Sequence, residues 1–165
     1  MMKYEWPLIN SKDENIKRLS ENTYDICEYL LDKIQQNPDV NLHPIQNFDG
    51  VTVHISCHSR AQNIGQKANE LLRLIPDLKL DVIERCSGHG GSWGVKKGNF
   101  DLALKVGKPV SRKTVQLNNE YLVSECPLAG VHIKQGVSKI DDKIKIKTLS
   151  HPIEILEKSL LSLGN

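Results

Sequence analysis

The sequence predicts an α/β fold: a mostly parallel sheet with flanking helices, built around three strand–Cys–helix units. Two observations predict it. Short apolar runs of strand length alternate with amphipathic runs of helix length from Val51 onward. Three of those short runs lead directly into a cysteine, at Cys57, Cys86 and Cys126.

The elements follow in order. Ser11-Lys12-Asp13-Glu14 matches a capping box and opens a predicted helix running to about Gln36, with Ile16, Leu19, Ile26, Leu30 and Ile34 on one stripe. Asn37-Pro38 ends it. Residues 39–50 are turn-rich, so residues 1–50 read as an N-terminal helix and connector packed on a cysteine-rich α/β domain at 51–165. Val51 to Ser56 alternates apolar and polar side chains and is the first predicted strand. A helix from about Ala61 to Ile75 follows, and Pro76-Asp77 breaks it. Leu78 to Ile83 is the second strand, and a glycine-rich loop comes after Cys86. The next helix covers about Asn99 to Val106, with a kink at Pro109 if it continues. Glu120 to Glu125 is the third strand. Pro127 suits the first turn of a short helix closed by Gly136. Ile144 to Lys147 is a candidate fourth strand, and Pro152 to about Leu161 a last helix.

The 165 residues suffice for one domain with a real core. Hydrophobic residues make up 39% and charged residues 25%, and 22 Lys and Arg nearly balance 20 Asp and Glu. That balance, with scattered lysines, gives no basis for a nucleic-acid partner. No apolar run reaches the ~20 residues of a membrane helix, which leaves only peripheral association with a membrane open. Met-Met-Lys-Tyr-Glu-Trp-Pro has no signal-peptide character, so a reducing, cytoplasmic setting is expected. There, cysteines serve as metal ligands, reactive thiols or core residues rather than as disulfides.

Parallel strands joined by right-handed crossovers bring their carboxyl ends to one edge, where ligands of open α/β sheets bind. Cys57, Cys86 and Cys126 stand 29 and 40 positions apart, yet the topology collects them there. Two of them closely precede a helix, whose N-terminus favours thiolate. A single cysteine at a strand end is most often a small buried hydrophobe; three at equivalent ends point to a soft metal, either an iron–sulfur cluster or zinc. Cys27, beside Ile26 on the first helix, reads as core. Gly88, Gly90 and Gly91 let the backbone approach a ligand and donate N–H groups to anionic sulfide. The loop lacks both G-x-x-x-x-G-K-[ST] and G-x-G-x-x-G, so a nucleotide phosphate is poorly supported. His89 is the best candidate for a further ligand. His58 and His132 are weaker ones, and His54 reads as structural. Thiol chemistry without metal, with Cys86 as nucleophile, is a third possibility, although no Cys-x-x-Cys is present.

Several blocks occur together and in order: Val51-Thr-Val-His-Ile-Ser-Cys-His-Ser-Arg, Leu71-Leu-Arg-Leu-Ile-Pro, Ile83-Glu-Arg-Cys-Ser-Gly-His-Gly-Gly-Ser-Trp-Gly-Val-Lys-Lys, Leu104-Lys-Val-Gly-Lys-Pro and Ser124-Glu-Cys-Pro-Leu-Ala-Gly. These resemble the cysteine-rich (CCG) domain family found in subunits of heterodisulfide reductase and of anaerobic glycerol-3-phosphate dehydrogenase. They resemble most of all the heterodisulfide-reductase-related (Fe–S)-binding oxidoreductases. The resemblance implies an iron–sulfur cluster of the 4Fe-4S kind, an electron-transfer role within an oxidoreductase, and Cys57, Cys86 and Cys126 as its thiolates. Ser87 stands where the pattern has a second adjacent cysteine, and Ala129 stands near its last one. The resemblance therefore implies three thiolates and a fourth ligand from outside. It also implies a C-terminal half only, whose partner is a redox protein or an N-terminal ferredoxin-like half.

Overall fold

The computed structural model describes residues 1–149 and 151–161. Four strands form one sheet in the order β2-β1-β3-β4, where β1 is Val51–His54, β2 Leu80–Ile83, β3 Tyr121–Ser124 and β4 Lys147–Thr148. Every pairing is parallel, and the register sets His54 beside Ile83 on one side and Ser124 on the other. The α/β class and the parallel sheet expected from the sequence are therefore what the chain adopts.

Helices cover both faces, as a parallel sheet requires. The helices are α1 Glu5–Ile9, α2 Glu14–Glu21, α3 Ile26–Gln36, α4 Cys57–Ala61, α5 Lys67–Leu72, α6 Phe100–Leu117, α7 Pro127–Ile140 and α8 Ile153–Leu161. One core joins Cys27 and Leu31 of α3 to Val51, Val53, Val123, Leu71, Leu72 and Ile155. On the opposite face Ile83 and Leu122 pack against Val110 of α6 and Ile133 and Val137 of α7.

This double cover changes the meaning of the alternation in β1. Thr52 and His54 alternate with apolar residues, yet all four residues of β1 are buried. Hydrogen bonds compensate: Thr52 Oγ1 accepts from Asn119 Nδ2 at 3.0 Å, and both ring nitrogens of His54 are engaged.

Several helices differ from expectation. The single helix from Ser11 to Gln36 is two helices. The side chains of Asn22 and Thr23 donate to the carbonyls of Arg18 and Leu19, and the carboxylate of Asp25 accepts from Cys27 N. Such local bonds compete with helix propagation. The caps also shift: Asp13 caps α2, and the capping box is Asp25 with Glu28, not Ser11 with Glu14. The helix expected over 61–75 begins earlier, at Cys57, because Ser56 caps it; it breaks where Asn63 and Gly65 turn to positive φ, and resumes as α5. α6 runs through Pro109 to Leu117. α7 continues past Gly136, the expected stop; a side-chain carbon there would collide with Ser111 of α6, so the glycine serves helix–helix approach.

Candidate metal centre

β1, β2 and β3 are neighbours, and their carboxyl ends lie at one edge. Each expected ligand follows its strand by two or three residues. Cys57 is the first residue of α4, Cys126 is the N-cap residue of α7, and Cys86 opens the glycine-rich loop. Cys57 and Cys86 are exposed, Cys126 is partly exposed, and all three are free thiols. The Cys86 and Cys126 thiols are both near enough to act on the Cys57 thiol electrostatically. The three cysteines therefore lie along one edge of the sheet.

The expected depression of the thiol pKa is not found at Cys57. Desolvation pushes its pKa up, followed by the Cys86 thiol and then Cys126; Arg60 opposes them. Desolvation first, and the facing thiols second, favour the thiol form of Cys57. A cationic cluster iron would reverse that balance, since coordination deprotonates a thiol.

Nearby polar groups position the cysteines. Gly88 N donates to Cys86 Sγ at 3.4 Å, the kind of bond that tunes a thiolate. Ser124 Oγ accepts from Cys126 N at 3.2 Å and contacts His54 Nδ1 at 2.9 Å, while His54 Nε2 reaches the Arg85 carbonyl at 2.8 Å. One histidine thereby ties the approach to Cys86 to the approach to Cys126. Ser56 N donates to Glu125 Oε2 at 3.4 Å, joining the ends of β1 and β3 behind Cys57. Sequence reasoning missed Glu125 and Ser124. The usable signal was an acidic residue between a strand and its cysteine, a place where burial is expected.

The glycines divide by role. Gly88 is buried at φ +81°, and a side chain there would collide with the Ala103 carbonyl of α6. Its conformation holds the loop on the helix. Gly90 and Gly91 also take positive φ but are exposed, with open space around Gly91. Ser87, at the position of the absent second cysteine, is buried, and its hydroxyl accepts from His89 N at 3.4 Å. Ala129 is buried in α7.

His89 is buried, and its ring lies 5.7 Å from that of His132, which in turn meets Phe100 edge-on at 5.8 Å. Both ring nitrogens of His89 and Nε2 of His132 lack partners, and the two rings line a pocket of about 240 Å³ with Phe100, Leu128 and Val131. Burial, then His132, lowers the His89 pKa, so the ring is neutral. Its electrostatic neighbour is His132, not a cysteine.

Among the described residues no group of three His, Cys, Asp or Glu side chains is arranged to hold a metal ion. One tetrahedral ion with bonds of about 2.3 Å to sulfur needs its thiolates within about 4 Å of one another. A cluster spreads its thiolates over separate irons and accommodates a wider set. The donors present, three accessible thiols at one edge with a backbone N–H on one sulfur, fit a cluster.

Comparison with known proteins agrees with this. The chain is 33% identical over 122 residues to a subunit of the fumarate reductase (CoM/CoB) of Methanothermobacter marburgensis, covering 72% of this chain and 24% of that protein. It is 34% identical over 98 residues to an uncharacterized iron-sulfur protein of Methanocaldococcus jannaschii, covering 58% and 20%. It is 26% identical over 157 residues to a subunit of the anaerobic glycerol-3-phosphate dehydrogenase of Escherichia coli, covering 94% and 37%. The chain thus spans about a fifth to little more than a third of these relatives. No family model matches it, and no solved structure does. The chain is a homologue of these reductase subunits and iron-sulfur proteins, in keeping with the cysteine-rich (CCG) domain family.

Proposed function

We propose that Cys57, Cys86 and Cys126 hold an iron–sulfur cluster and that the chain relays electrons within a heterodisulfide-reductase-like oxidoreductase in the cytoplasm. The observation that carries this reading is the placement of three free thiols just past the ends of three adjacent parallel strands. The names of the relatives support iron–sulfur chemistry over zinc. A bound cluster supplies reversible one-electron transfer.

The chain's own residues anchor and tune it. The three cysteines are the thiolates, Gly88 N–H stabilises charge on the Cys86 sulfur, and the exposed edge lets a redox partner approach. Three thiolates suit a 4Fe-4S cluster whose fourth iron takes another ligand. The relatives are longer than this chain, so a partner segment is one source. His89 is the other, and it must then leave His132. No helix among the described residues is long and apolar enough to cross a membrane.

Anaerobic reconstitution with iron and sulfide tests the proposal. Iron and acid-labile sulfide are expected in equal amounts, about four each per chain, with a reducible visible absorption. Zinc near one per chain without sulfide contradicts it. In the same assay His89→Ala leaves the EPR spectrum unchanged if the fourth ligand comes from outside and alters it if His89 is that ligand.

A further inference from the structure

Among the described residues β2 is an edge of the sheet, paired only with β1. In a parallel ladder one residue turns its N–H and C=O to one neighbour and the next residue turns both away. The Lys79 and Ile83 carbonyls accept from Val51 and Ile55. Leu80 and Val82 therefore turn their main-chain donors and acceptors outward, along the open edge.

α6 runs beside that edge. Its Pro109, Arg112, Lys113 and Gln116 lie at helical spacing along a groove of about 440 Å³, with Val82 and Arg85 opposite. The helix carries Lys105, Lys108, Arg112 and Lys113 against a single acidic residue, Asp101, and all four cations are exposed. None of the ion pairs among the described residues uses these four or Arg85. The one carboxylate in the groove, Glu84, is already engaged by Arg60 at 3.1 Å and Gln66 at 2.8 Å. The groove thus joins unused main-chain hydrogen-bonding capacity to unneutralised positive charge.

We propose that this groove docks an extended acidic segment of a partner polypeptide, which joins the sheet as a strand beside β2. The strand edge selects a polypeptide, because Leu80 and Val82 offer both donors and acceptors, whereas a phosphate backbone takes only donors. The cations select acidic side chains and speed encounter. The groove ends at Arg85, so the bound segment lies next to Cys86. The inference needs no metal at the cysteines and stands or falls separately from the cluster.

The test uses the full chain and a fluorescein-labelled eight-residue peptide of alternating Glu and Thr, followed by polarisation at low salt. Saturable binding is expected. R112E with K113E weakens it at least tenfold, and so does Val82→Pro, which removes an outward N–H and leaves the bonds to β1 intact. N-methylation of alternate peptide amides, in either register, also weakens it, and a Lys–Thr peptide does not bind. Far-UV circular dichroism of both variants stays as in the parent. The proposal is overturned by no binding up to millimolar peptide, by equal binding of the N-methylated peptides, or by a single-stranded oligonucleotide that binds more tightly through the same cations.

Discussion

Cys27 and Cys57 are the same side chain in opposite settings. Cys27 sits on α3 in the core beneath β1, fully buried, and desolvation pushes its pKa up to about 12. Cys57 sits at the carboxyl edge of the same strand, exposed, and its pKa is also raised, in part because Cys86 and Cys126 face it. In the core the shift reports packing. At the edge desolvation is again the first cause, but the neighbouring thiols of Cys86 and Cys126 add to it.

The largest expected contrast is in iron content. Cys57→Ser, Cys86→Ser or Cys126→Ser should each remove most of the reconstituted iron, while Cys27→Ser keeps it and unfolds at lower denaturant. Equal iron in all four variants would erase the difference between the two regions. Next comes Gly88→Ala, which forces a side chain into the Ala103 carbonyl at positive φ. It should cost about 2–4 kcal/mol in urea unfolding. Third, His54→Phe removes the tie between Ser124 and the Arg85 carbonyl and leaves both without it; about 1–3 kcal/mol is expected.

The smallest effect concerns pH. Cys27 has a folded-state pKa above its unfolded one. Its contribution is fully present below about 8.5, the unfolded thiol value, and is lost as pH rises toward about 12. Chemical unfolding between pH 8 and 10.5 should show stability falling with pH, less steeply in Cys27→Ala.

The sheet and the cysteine positions were legible because β-branched runs, turn residues and the cysteines themselves coincide at Val51–Cys57 and Leu80–Cys86. The split between α2 and α3 was not, since it depends on the side chains of Asn22, Thr23 and Asp25 winning backbone partners inside an unbroken apolar stripe. Pro109 left the end of its helix open in the sequence; α6 continues through it, and the helix packs on α7. The roles of Glu125 and His132 depend on partners far away in sequence, Ser56 and His89, and no spacing rule connects them.

The most direct test of the cluster assignment is a thiol footprint taken before and after anaerobic reconstitution. Alkylation under native conditions, followed by peptide mass spectrometry, reads each cysteine separately. The account predicts that Cys57, Cys86 and Cys126 are modified in the metal-free chain and protected together once iron and sulfide are bound, with Cys27 unmodified in both. Iron incorporation that leaves any one of the three as reactive as before would contradict it.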